Sequence, residues 1–381
     1  MPISRFERLR ERSAWRGAAG LVAGSLLALR GAAAAPLSED QLSRTPRERL
    51  CCAFGHDLDA GLAAVPITVH LDNVKSIEGI TAHSYVSRSN VEEVAELFGE
   101  KYGLVYTCRG GFIDIAHASD FADWTAYLSA QIARTTTVEQ QLVLPCAAGT
   151  ARLVIHPVAA DDPRAGLESA LTLAQRIAYE LSVLHEITSW FDVSTFSMVS
   201  EKVSAFSPED SYSNLLGTYV GRRAVLSPQP YDQAAHAELR AALRELGAVD
   251  VADTRAAFDQ IAGRWWDGTK RLPEPTVTKR RNLEWGPTAL APWRAPSPLD
   301  ACATPAGAPA EVLAIPTLDP VTRTPLSSRY QLEFRLDRER LPKTFPYPHE
   351  SNVVTPADFP ALVEAIRADI KREIGPDADT P

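Results

Sequence analysis

The chain has 381 residues, 45% hydrophobic and 23% charged, enough apolar material for a sizeable core in one large domain or two smaller ones. A formal net charge of −9 leaves nucleic-acid binding without electrostatic footing. The 28 prolines gather after residue 226, so that half is expected to hold ordered loops around a few elements.

The N-terminus opens with Arg5, Arg8, Arg10, Arg12 and Arg16, continues with an apolar stretch from Ala18 to Leu29, and closes with small residues from Gly31 to Ala35. Basic, apolar and small residues in that order read as a cleavable secretory signal over residues 1–34, cut after Ala34. The stretch falls short of the ~20 apolar residues that cross a bilayer, and Arg30 interrupts it. No later segment is long and apolar enough to span. A periplasmic or secreted protein without a membrane span after cleavage is the expectation.

Two regions follow, a core domain over 45–225 and a C-terminal region over 226–381 packed on it. VEEVAELFGEKYG (91–103) reads as a helix that Ser89 and Asn90 can cap and Gly103 ends. LVYTC (104–108) is a short strand, broken by Gly110 and Gly111. Residues 113–134 form a helix whose apolar stripe steps by three and four through His117, Phe121, Trp124, Leu128 and Ile132. Residues 141–157 are two β-rich runs around a Gly turn, a hairpin. A second strong helix covers 166–192.

SEKVSAFSPEDSYSNLLGTYVGRRAV (200–225) reads as a loop and then a helix, with Ser207 as its N-cap and Pro208 in its first position. The C-terminal region offers a helical pair over 232–249 and 251–268, an alternating strand over 329–337, and a closing helix capped by Thr355. Trp265 and Trp266 read as a hydrophobic anchor between subdomains. The fold class is α/β or α+β: a central helix pair with short strands and a β-hairpin, plus the Pro-rich C-terminal region.

Three polar clusters lie against these apolar helices. Asp114, His117 and Asp120 sit at the start of helix 113–134, His185 and Glu186 near the end of helix 166–192, and Glu209 and Asp210 beside Pro208. At 1.5 Å per residue, His117 and His185 both stand roughly 25–29 Å from the hairpin joining their helices. Antiparallel packing across that hairpin would set them level. Two imidazoles and nearby carboxylates converging there suit a divalent metal such as zinc, with His117, His185, Glu186 and Glu209 as ligands. Glu186 or Glu209 could instead take a proton from bound water. The pattern is not HExxH, because Ser189 stands where the second histidine would be. Core histidines satisfied by hydrogen bonds are the structural alternative.

The five cysteines, Cys51, Cys52, Cys108, Cys146 and Cys302, leave at least one thiol free unless an intermolecular bridge forms, and Cys108 at its strand end is the expected one. A rival site uses Cys108 as a nucleophile with His83 as its base, in the manner of a papain-like hydrolase or acyltransferase.

The blocks PRERLCCAFGHDL, YTCRGGFIDIAHASDFADW, HEITSWFD and SAFSPEDSYSNLLGT together resemble an uncharacterised bacterial family of exported proteins that carry a domain of unknown function. The resemblance spans most of residues 45 to 300 and implies an exported location but no reaction. The sequence thus supports three functions: a metal-dependent hydrolase acting on an unknown envelope component, a non-catalytic envelope binding or assembly protein, and the cysteine hydrolase.

Overall fold

The computed structural model describes residues 37–46, 48–49, 52–61, 68–85, 102–135, 138–146, 148–157, 162–193, 200–303 and 309–381. The secretory signal expected over 1–34 and residues 91–101 of the helix expected over 91–103 lie outside them. Among the described residues the strands run β1 (Leu58–Gly61), β2 (Thr68–Leu71), β3 (Leu104–Thr107), β4 (Gly111–Asp114), β5 (Gln140–Cys146), β6 (Gly149–Ile155), β7 (Arg271–Leu272), β8 (Ala289–Leu290), β9 (Leu313–Ala314), β10 (Tyr330–Leu336) and β11 (Val353–Val354). The helices are α1 (Glu39–Leu42), α2 (Ile115–Ala133), α3 (Pro163–Trp190), α4 (Asp210–Val225), α5 (Tyr231–Leu246), α6 (Val251–Ile261) and α7 (Phe359–Glu373).

The fold is mixed α and β, with α2, α3 and α4 packed on one another at its centre. The hairpin β5–β6 joins α2 to α3, and β10 pairs antiparallel with β6 so that Phe334 faces Ala151 and Leu332 faces Leu153. The alternation read in 329–337 is realised: Tyr330, Leu332, Phe334 and Leu336 are buried and the residues between them are not. Half-buried strands of this kind need one apolar face only. The sheet β11–β10–β6–β5 and the three helices enclose the larger core.

A second core is built from aromatic rings, with Phe54, Phe112, Phe258, Trp265, Trp266 and Trp293 among its members. Trp265 and Trp266 are buried anchors there, with the Trp266 indole N–H donating to the Phe258 carbonyl at 3.0 Å.

Two element boundaries differ from the sequence reading. Residues 111–114 belong to β4, and α2 begins at Ile115 with Asp114 as its N-cap. The helix expected from Pro208 starts two residues later, at Asp210. Ser207 does not cap it. Its backbone N–H instead donates to the Asp210 carboxylate at 2.8 Å, and a turn through Pro208 and Glu209 intervenes.

Candidate metal centre

Helices α2 and α4 meet over glycine. A methyl group on Gly217 would collide with the Ala118 carbonyl oxygen, and one on Gly221 with that of Ala122. Gly217 and Gly221 are one turn apart, as are Ala118 and Ala122, so the two backbones approach over a full turn of small residues. That approach brings the N-terminal end of α2 against the N-terminal end of α4, where the polar residues lie.

Asp114 carries the first link. As N-cap of α2, its Oδ1 accepts from the backbone N–H of Ala116 at 2.6 Å and of His117 at 3.2 Å. Its Oδ2 accepts from Cys52 N–H at 3.1 Å, and its own N–H donates to the Ser213 hydroxyl at 2.9 Å. One turn on, the His117 ring is held from both sides. Nδ1 lies 2.7 Å from Asn214 Oδ1, and Nε2 lies 3.5 Å from Asp210 Oδ1.

The hydrogen bonds assign the tautomer. The Asn214 amide nitrogen donates to Glu186 Oε1 at 3.1 Å, which turns its oxygen toward His117. An amide oxygen only accepts, so His117 Nδ1 carries the proton. In the neutral ring Nε2 is then a lone pair, and it faces a carboxylate oxygen. Two acceptors in that relation call for a positive charge between them, either a second ring proton or a cation. Ligand atoms of Asp114, His117 and Asp210 all lie within 4.8 Å of one another, and all three residues are buried. Ligands on one small divalent ion stand about 3–4 Å apart, so a modest closure would complete the shell.

The surroundings are acidic and buried. Glu186, Glu209, Asp114 and Asp210 are each at most 2% exposed. Glu186 Oε2 accepts from Phe206 N–H at 2.8 Å. Glu209 Oε1 accepts from the Ser207 hydroxyl at 3.0 Å, while its Oε2 is buried without a hydrogen-bond partner among the described residues. Burial, reinforced by the nearby Asp114 charge, pushes the Glu209 carboxyl up to about 8. Burial also raises Asp114, against the pull of His117 and the backbone N–H groups on it.

One fully buried guanidinium, Arg281, stands near Asp210, Glu209 and Glu186. Burial lowers it to about 10, although those carboxylates act in the opposite sense. Among the described residues, four buried carboxyl groups therefore share one permanent cation.

A family model described as "Protein of unknown function (DUF4056)" matches residues 40–295. The chain belongs to this family. No curated protein and no solved structure matches it. Every residue of the centre, from Asp114 to Arg281, falls inside the stretch shared with DUF4056 proteins, whereas Cys302 falls outside it.

The residues singled out from the sequence distribute as follows in this DUF4056 protein. The rings of His117 and His185 are 5.9 Å apart, edge to face. His185 is half-buried and, with His117, Asp120, Phe121, Trp124 and Thr188, lines a small recess opening beside the centre. The close triad consists of Asp114, His117 and Asp210, and does not include His185. Glu186 lies 3.8 Å from His117 Nδ1 and acts on the ring through Asn214. Asp114 and Asp210 belonged to the expected polar clusters but were not among the expected ligands. The signal that marks them is the Asp-x-x-His spacing at the start of α2, an N-cap carboxylate folded onto the backbone N–H of the histidine three residues on, and the acidic pair that follows Pro208.

The cysteine site is corrected. Cys108 is bonded to Cys302 in a disulfide, so it is not the free thiol and carries no thiolate. His83 is engaged elsewhere, with Nε2 donating to Asp123 at 2.8 Å. A strand end beside glycines marks a turn, and here that turn is an anchor. Cys146, on the recess, has a thiol that burial pushes up to about 11, which leaves it a poor nucleophile at neutral pH.

Proposed function

We propose that this protein is an exported, metal-dependent hydrolase that binds one divalent cation between Asp114, His117 and Asp210. The observation that carries the reading is the His117 ring, whose proton is fixed on Nδ1 by Asn214 while Nε2 faces Asp210. A metal-bound histidine commonly donates its other ring N–H to a hydrogen-bonded acceptor that sets its orientation, and the Asn214–Glu186 chain supplies that acceptor. A cation there would lower the pKa of a bound water. Glu209, with one buried oxygen unengaged, would be the group to accept that proton once the cation's charge drew its own raised pKa down. His185 at the recess would meet the substrate, an envelope component. The secretory signal and the Cys108–Cys302 disulfide both support an oxidising compartment outside the cytoplasm.

The test is elemental analysis of the exported protein purified without chelator. The expected result is close to one equivalent of metal, with one imidazole nitrogen at about 2.0–2.1 Å by X-ray absorption, and background metal in His117→Ala. Glu209→Gln should keep the metal but stop release of soluble fragments from an envelope preparation. Metal-free wild-type protein whose His117 carries both ring protons would refute the cation.

The burial of the centre favours a second reading, in which the ion is structural and the protein a non-catalytic envelope component. Chelation would then lower the melting temperature of wild type and Glu209→Gln alike, with no hydrolysis to lose.

A further inference from the structure

The residues just before the acidic pair make an unusual turn. Phe206 sits at φ 56°, the left-handed region that a bulky residue occupies only where its surroundings hold it there. The same turn aims two backbone N–H groups at the centre, Phe206 N–H at Glu186 and Ser207 N–H at Asp210, each at 2.8 Å. Whatever holds the turn therefore holds two of the four carboxylates.

Two adjacent residues hold it, and they come from a loop more than seventy positions away in sequence. The Arg281 guanidinium donates through Nη1 to the carbonyls of Val203 at 3.0 Å and Ala205 at 2.6 Å. Its Nη2 donates to the Pro275 carbonyl at 2.7 Å. Asn282 takes the next carbonyls along the turn: its backbone N–H donates to Phe206 at 2.7 Å, and its side-chain amide to Pro208 at 3.3 Å. The two residues thus bind the carbonyls at 203, 205, 206 and 208 in sequence. Arg281 and Asn282 are 0% and 1% exposed, and the guanidinium lies 5.6 Å from the centroid of the Trp190 ring. A planar fork reaching three carbonyls at once is a geometry that lysine cannot reproduce.

We propose that Arg281 and Asn282 are positioning residues for the centre, acting through the 203–208 turn on Glu186 and Asp210 and, by way of Asn214, on the His117 ring. The part of this that concerns the cation rests on the metal reading above; the part that concerns the ring does not.

The experiment compares wild type with Arg281→Lys, which keeps the charge and loses the fork, and Asn282→Ala, a milder change should the first variant fail to fold. Arg329→Lys is the control. Arg329 is another buried arginine, bonded to Ser169 and Asp319 and outside the centre. Two quantities are read well below the melting temperature: the proton resonance of His117 Nδ1–H in histidine-labelled protein, and the affinity for added Zn²⁺. The Nδ1–H resonance is expected to shift or broaden in the clamp variants and to stay in place in the control. Zinc affinity should fall about 10–100-fold, as for changes behind a metal's direct ligands. An unmoved resonance in both clamp variants overturns the proposal, as does an equal shift in Arg329→Lys. If the resonance moves and wild type binds no zinc, the clamp stands and the cation falls.

Discussion

Helix α2 carries two buried polar clusters one turn apart, and they are built on opposite plans. The second centres on Arg49. Its guanidinium donates to Asp120 at 2.5 Å, to Asp123 at 2.8 Å, to the Tyr102 hydroxyl at 3.2 Å and to the Ser84 carbonyl at 3.0 Å. Asp123 Oδ1 accepts from His83 and from Tyr231, each at 2.8 Å. Among the described residues, none of the side-chain nitrogens and oxygens of Arg49, Asp120, Asp123, His83 and Tyr231 is buried without a partner. Both carboxylates are met there by donors, Asp120 by the guanidinium and Asp123 by the guanidinium, the imidazole and the phenol. At the Asp114–His117–Asp210 centre the carboxylates outnumber the cations, and Glu209 keeps one oxygen unengaged. A saturated network fastens segments together, whereas one with a surplus of one sign is built to receive the other.

The largest expected effect breaks the saturated cluster. Arg49→Met leaves Asp120 and Asp123 buried without their counter-charge, and urea unfolding should show a loss of about 3–5 kcal/mol. A loss below about 1 kcal/mol would mean that the Arg49 cluster is not the fastening it resembles.

At the other cluster the sign should reverse. In metal-free protein, Glu209→Gln removes one of four crowded carboxylates while keeping an acceptor for Ser207, so stability should rise by on the order of 1 kcal/mol. A clear loss in the same urea measurement would show that the surplus is balanced by something else.

The smallest effect is on the pH profile, and it separates two neighbours. Burial lifts Asp120 to about 6 despite Arg49, so folded protein holds that proton more tightly than the unfolded chain does. Its contribution to stability is present at low pH and is lost as pH rises from about 4 to 6. Burial acts on Asp123 in the same sense, but His83 and Arg49 outweigh it and hold that carboxyl below its usual range. Its contribution is present above that range and is lost as pH falls through it. Urea midpoints from pH 3 to 7 should decline less steeply between 4 and 6 in Asp120→Asn, the remaining decline belonging to the raised Glu209 and Asp114 carboxyls. An unchanged profile would mean that Asp120 is ionised throughout.

Helix periodicity made α2, α3 and the β5–β6 hairpin legible in the sequence, because each buries a regular stripe. The level of His117 and His185 along their helices followed from rise per residue alone. The ligand set was harder to read. Asp114 and Asp210 stand at helix starts, where a carboxylate usually serves only the backbone; Asp114 does serve it, yet also borders His117. Arg49 and the pair Arg281–Asn282 sit in segments without periodicity, and their partners lie far along the chain. No local pattern records that a guanidinium will span carbonyls contributed by a distant turn. The Cys108 expectation failed for a related reason: a disulfide spanning 194 residues leaves no trace in the spacing around either cysteine.

The Cys108–Cys302 bond bears on how this protein can be cut. The stretch shared with its family stops at residue 295 and contains the whole centre. A fragment trimmed to that stretch would lack Cys302, and Cys108 would become a lone sulfhydryl. It would lack β10, so β6 would present a bare edge open to other chains. It would also lack the Ala378 carbonyl that accepts the Arg281 backbone N–H. The likeness to relatives covers the centre, whereas the disulfide, the β6 partner strand and the carbonyl that receives Arg281 lie beyond it, as far as Ala378.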